Sequence, residues 1–221
     1  MRREVNYDEV FDAQQQFRII LDSMSRPGKI NLMPQMDIEP PAGINNASVL
    51  ISFALLNTDV SFFVTGDNSA AITPYIALNT TAQPKPINDA DFIFMDGLAD
   101  EAIIADAKVG TLSYPEESAT IIISVDEINE DKLAGSVKLT LKGPGVETEM
   151  QVSLSGLNPE ILHAVKEQNL EFPLGIIAGW PQYLSTRNFT ERSGYFPFHK
   201  HFAGIYGLRI ISSLQGGSEC S

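Results

Sequence analysis

Thr120-Ile121-Ile122-Ile123-Ser124-Val125 is the clearest strand in the chain, because five of its six residues branch at Cβ and pack well on a pleated surface. On its amino side Phe92-Ile93-Phe94-Met95 reads as a second, buried strand ended by Asp96-Gly97, and Val60-Ser61-Phe62-Phe63-Val64 as a third. On its carboxyl side Val137–Leu141 and Met150–Leu154 alternate apolar and polar residues on either side of Gly143-Pro144-Gly145. That pattern predicts an antiparallel addition. A further short strand is expected over Ile30–Met33.

Helical signals lie between these strands. Asp12, with Gln15 three residues on, has the spacing of a capping box. Phe17, Ile20, Leu21 and Met24 follow at helical spacing as one apolar stripe, and Ser25-Arg26-Pro27-Gly28 stops the helix. Asn46 is placed to cap a buried helix over Ala47–Leu56. Short helices are expected over Ala70–Leu78, started or interrupted by Pro74, and over Leu98–Ala107. Asn158 caps another helix, with Pro159 at its first position and Ile161, Leu162 and Val165 on one side. The stretches Pro34–Gly43 and Gly110–Ser118 read as loops. Interspersed helices and strands predict an α/β domain with a mixed central sheet flanked by helices. No internal repeat or low-complexity segment is evident.

Composition narrows the class of function. The 221 residues are 43% hydrophobic and 19% charged, an ordinary globular balance. The net charge of −13 sets the surface against nucleic-acid phosphates and anionic membranes. No apolar run is long enough to span a bilayer, and no apolar signal core follows Met1–Asp8, so a cytoplasmic location is expected. The single cysteine, Cys220, allows no disulfide within the chain.

The residues that could carry chemistry do not assemble into a site on paper. Gly143-Pro144-Gly145 is a turn rather than a phosphate loop, since Pro144 lacks an N–H and no Lys-Ser/Thr follows. His199 and His201 could face one metal, but no cysteine or carboxylate is near them in sequence, and His163 lies off the apolar stripe of its helix, where exposure is expected. Glu116-Glu117 and Asn129-Glu130-Asp131 read as solvated acidic loops, and no serine sits in a nucleophile elbow. Asn188-Phe189-Thr190 matches a glycosylation acceptor, which has no meaning in a protein expected to be cytoplasmic. The residues alone therefore define an acidic α/β domain with no catalytic, cofactor-binding or metal-binding residue assigned.

Several collinear segments carry a resemblance. They are Asp12-Ala13-Gln14-Gln15-Gln16-Phe17-Arg18, Met24-Ser25-Arg26-Pro27-Gly28, Ala47-Ser48-Val49-Leu50, Asp59-Val60, Gly110-Thr111, Pro115-Glu116, Ala119-Thr120, Leu141-Lys142-Gly143-Pro144-Gly145-Val146 and Phe172-Pro173-Leu174-Gly175-Ile176. In order and spacing the stretch from residue 12 to 176 resembles the PhnH family. The resemblance implies a fold like the large domain of pyridoxal-phosphate-dependent transferases without the cofactor. It also implies a homodimer, and a core complex with PhnG, PhnI and PhnJ subunits. That complex couples an alkylphosphonate to the ribose of ATP and then breaks the carbon–phosphorus bond. The chemical roles belong to the other subunits, so a non-catalytic subunit is expected.

Two other readings follow from the residues. A pyridoxal-phosphate-type transferase needs a Schiff-base lysine, for which Lys85, Lys108 and Lys138 are the candidates, though none lies in a recognisable cofactor context. A phosphonate- or nucleotide-binding protein needs only a pocket. The chain divides into a family-like domain, 1–176, and an atypical tail, 177–221. The family pattern continues after this point with an Asp, a hydrophobic strand and a Pro-Arg-Thr-Thr ending, which are absent here. The tail carries +2 against −15 for the body, with the only tryptophan, the only cysteine and two of the three histidines. It is read as a frameshifted or replaced terminus, with a genuine docking extension as the rival. Loss of a final strand is expected to leave a sheet edge open.

Overall fold

A computed structural model describes residues 4, 6–129, 136–141, 145–146, 149–171 and 173–180, together with the backbone of 198–199. Its centre is a sheet in the order β2-β1-β3-β4-β8-β9. The strands are β1 (Ser61–Val64), β2 (Gln83–Pro84), β3 (Phe92–Asp96), β4 (Thr120–Ser124), β8 (Ile177–Gly179) and β9 (Phe198–His199). The first five are mutually parallel and β9 runs antiparallel to β8. A second, antiparallel sheet has the order β5-β7-β6, with β5 (Glu127–Asn129), β6 (Val137–Leu141) and β7 (Met150–Ser155). The alternating strands around Gly145 thus pair antiparallel as expected, but in a sheet of their own.

The uninterrupted apolar run of β4 is explained by its position. Helices α1 (Phe11–Ser25), α2 (Asn46–Leu55) and α3 (Ser69–Thr80) contribute Ile20, Leu50 and Ile76 to a core that includes Ile122. Ile121 and Ile123 belong to a second core with Ile104, Leu139, Leu154 and Ile161, built from the small sheet, helix α4 (Pro159–Gln168) and a 3-10 helix over Glu101–Asp106. A central parallel strand covered on both faces has no polar face to alternate with. Burying each isoleucine completely contributes about 1.5–3 kcal/mol.

Several boundaries differ from the sequence expectation for identifiable reasons. The start of α1 is organised by Asp8, not Asp12. The Asp8 carboxylate accepts from Val10 N and Phe11 N, both at 2.8 Å, while Asp12 reaches back to accept from Asp8 N at 2.8 Å. The two backbone donors hold the Asp8 carboxyl below the ordinary aspartate range. The stripe on α1 is also rotated: Gln16, Ile20 and Ser23 are buried, Met24 is half-buried, and Phe17 and Leu21 face outward. Asn45 rather than Asn46 caps α2, accepting from Ser48 N at 2.7 Å.

α3 runs through Pro74, at a cost of about 3 kcal/mol that burial of Ile72, Tyr75 and Ile76 offsets. Ile30–Met33 forms no strand, because Ile30 packs on one core and Met33 on the other while the Asn31 amide donates to Ser23 Oγ at 2.8 Å. The expected helix over Leu98–Ala107 is the shorter 3-10 turn, started where the Asp100 carboxylate accepts from Ala102 N. Ile177–Gly179, at the start of the tail, supplies β8, the parallel neighbour of β4.

Candidate functional site

Three groupings of polar or glycine residues stand out. The first joins the two turns most characteristic of the sequence. Ser25-Arg26-Pro27-Gly28 ends α1, and Gly28 takes φ +86°, a left-handed geometry that glycine adopts without steric cost. A Cβ on Gly28 would strike the Met150 side chain and lie 3.1 Å from Leu141 Cδ1. Gly145 has φ +83°, and a Cβ there would collide with Ser25 O and approach Pro27 Cδ to 2.8 Å. The two turns form a clasp that fastens the end of α1 to the small sheet. Asp22 braces it, pairing with Arg26 and with Lys29 Nζ at 2.6 Å.

The second grouping lies at the carboxyl ends of the parallel strands. In doubly wound sheets ligands bind there, where the strand order reverses; here that point is between β1 and β3. The neighbouring ends of β3 and β4 are tied down by backbone. Gly97 N donates to Ser124 O and Asn158 N donates to Gly97 O, each at 2.7 Å, and Asp126 N donates to Ser155 O at 3.0 Å. A Cβ on Gly97 would strike Gly156 O. Beside this seam the Ser48 and Ser124 hydroxyls share a 3.1 Å hydrogen bond, and the Asp96 carboxylate accepts from Leu98 N at 2.8 Å. The Thr65 hydroxyl, just past β1, is buried with no hydrogen-bond partner among the described residues. The hydroxyls can donate to or accept from a ligand, while the Asp96 carboxylate repels an anionic one.

The third grouping ties the amino ends of the strands. Lys108 Nζ donates to Asp91 Oδ1 at 2.6 Å, while Ser61 N and Ser61 Oγ donate to Asp91 Oδ2 at 2.9 and 2.7 Å. Partial burial pushes the Asp91 carboxyl up, but the lysine and serine donors outweigh it and hold the carboxyl below its ordinary range. This network was invisible in sequence, where Lys108 stood only as a Schiff-base candidate. The nearest signal was an aspartate immediately before a buried strand.

The other candidates disperse. Lys85 pairs with Asp89 at 3.4 Å, and Lys138 is exposed on β6, 3.5 Å from Gln151 Oε1. His163 is partly buried on α4, while Glu116 and Glu117 are exposed in a 3-10 turn. His201, Cys220, Gly143, Pro144, Glu130, Asp131 and Asn188–Thr190, like the His199 side chain, fall outside the described residues. Among the described residues no three His, Cys, Asp or Glu side chains come together as a metal site, and no helix is long and apolar enough to cross a membrane.

A domain whose signature turns clasp each other, with the ends of β3 and β4 tied down by backbone, is an α/β unit of bacterial phosphonate metabolism by comparison. The model of the family described as bacterial phosphonate metabolism protein (PhnH) matches residues 6–177, which takes in both turns and every strand from β1 to β7. The chain belongs to the PhnH family. It is 29% identical over 171 residues to the alpha-D-ribose 1-methylphosphonate 5-triphosphate synthase subunit PhnH of Rhizobium meliloti (strain 1021), covering 76% of this chain and 82% of that protein. It is 26% identical over 163 residues to the putative C-P lyase subunit protein HtxG of Stutzerimonas stutzeri, covering 74% and 75%.

Proposed function

We propose that the chain is a non-catalytic subunit of the carbon–phosphorus lyase core complex, required for coupling an alkylphosphonate to the ribose of ATP. The observation that carries this reading is the family match over residues 6–177, together with two relatives that are themselves named as subunits of such machinery. The clasp between Ser25–Gly28 and Gly145 supports it from the structure, because the two motifs serve each other's packing rather than presenting a reacting group.

In this reading the partners are PhnG-, PhnI- and PhnJ-type subunits, the chain pairs as a homodimer, and the assembly works in the cytoplasm without nucleic acid or membrane. The fold is that of a pyridoxal-phosphate-dependent transferase large domain that has dispensed with the cofactor. Binding and catalytic residues for the phosphonate and ATP lie on the partners. The tail is an atypical terminus, either frameshifted or a docking extension.

Co-expression with the PhnG-, PhnI- and PhnJ-type subunits of the same operon tests this. The full chain is expected to co-purify with them and to be needed for ribose-phosphonate formation. A parallel chain ending after Trp180 keeps β8 and its buried tryptophan, so it isolates the contribution of the remaining tail. A full chain that folds but is recovered free of all three subunits would sink the proposal.

A further inference from the structure

Helix α1 has two apolar faces and only one of them is used. Ile20 is buried in the core between helices and sheet. The opposite stripe keeps Phe17 47% and Leu21 53% exposed, with Val10 at 70% and Phe11 at 74% beside its amino end. Phe17 and Leu21 stand four residues apart on one face of the helix and adjoin each other, while the polar Gln14 separates them from Val10.

The path of the chain points to an occupant. β9 pairs with β8 through Ala178 and His199 and lies alongside α1. The polypeptide therefore leaves β9 next to that helix. Twenty-two residues follow His199, enough to reach about 70 Å if extended, against about 22 Å for the fifteen residues of α1. Their composition suits an apolar patch: Phe202, Ile205, Tyr206, Leu208, Ile210, Ile211 and Leu214 are concentrated in thirteen residues. Lys200 and Arg209, with Glu219 the one acid, give this segment a positive charge beside a body that carries −15.

We propose that residues 202–214 of the same chain dock on the Phe17–Leu21 face of α1 and complete the helical layer of the domain. The tail then acts as an internal cover, whatever its genetic origin.

Hydroxyl-radical footprinting of the unaltered full chain reads this directly, each side chain being normalised to the denatured chain. Phe17 and Leu21 are expected to react about fivefold less than in the denatured chain, as contact burial requires. Leu112 and Tyr114, exposed at 75% and 57%, serve as open references. The protection is expected at every protein concentration. In a Cys220→Ser background, Leu21→Cys combined in turn with Ile205→Cys, Leu208→Cys or Ile211→Cys is expected to give an intramolecular disulfide for at least one pair. Full reactivity of Phe17 and Leu21 overturns the proposal. So does protection that grows with concentration or links that form only between chains, since a second copy is then the cover. Protection without any of the three links overturns it as well.

Discussion

Gly145→Ala tests the clasp at its tightest point, and Gly66→Ala supplies the control. Both glycines have positive φ, +83° and +95°, so both alanines meet the left-handed penalty of about 1–2 kcal/mol. Their surroundings differ. A Cβ on Gly66 meets nothing within 4 Å, whereas one on Gly145 runs into Ser25 O and comes within 2.8 Å of Pro27 Cδ. Relieving that overlap means parting the two turns or straining α1's last residues, about 1–3 kcal/mol more. Gly145→Ala is therefore expected to lose about 2–5 kcal/mol in total, and Gly66→Ala only the first part. In a domain of this size each kcal/mol lowers Tm by about 2–4 °C, so the two variants are to be compared by urea titration and thermal melting. Equal losses in the two variants would refute the reasoning, because the backbone term alone would then account for both and the turns would not be in supporting contact.

Four further outcomes follow from the same structure. Lys108→Met leaves Asp91 with its serine donors but no counter-charge, and is expected to cost about 1 kcal/mol after solvent screening. Asp91 has a lowered carboxyl pKa in the fold, so its contribution is present above the unfolded aspartate pKa of about 3.9 and is lost as pH falls through the lower folded value; Asp91→Asn is expected to flatten that acid limb of a stability–pH curve, and an unchanged limb would count against the network. Ile122→Ala, at a side chain with no exposed surface, is expected to lose about 2–5 kcal/mol by urea titration. Asn158→Ala removes the acceptor for Glu160 N and the donor to Glu101 Oε2, and is expected to cost about 1 kcal/mol; a loss below a few tenths would show that α4 starts without its cap.

What could be read from sequence was the part governed by local chemistry. The β-branched run at Thr120–Val125 and the alternation at Val137–Leu141 and Met150–Leu154 each became strands, to within a residue, because burial and propensity agreed there. Asn158-Pro159 likewise started α4 where expected. Features set by partners distant in sequence were hidden. Phe17 and Leu21 have the right spacing for a core, but the neighbours of α1 select Gln16, Ile20 and Ser23 instead. Ile177-Ala178-Gly179 is too short and too small to declare a strand, and becomes one only through β4. Lys108 gave no hint of Asp91 or Ser61, since those partners lie 17 residues apart and beyond, across three strands. The site-level reading depended on collinear motifs, and the structure supplies a reason for two of them by bringing Gly28 and Gly145 into one packed junction.

The pairing of β4 with β8 has a consequence during synthesis. Thr120 faces Ile177, so the most apolar strand of the protein must wait about 57 residues for its neighbour. At bacterial elongation rates of roughly 5–20 residues per second that is about 3–11 s, during which the edge of β4 that will receive β8 is unpaired on the nascent chain. An isoleucine-rich strand with an open edge is a template for intermolecular pairing. Yield in the cell should therefore depend on how the ribosome-bound intermediate is shielded as much as on the stability of the finished fold, and slowing translation before residue 177 should deplete the soluble fraction even though the mature sequence is unchanged.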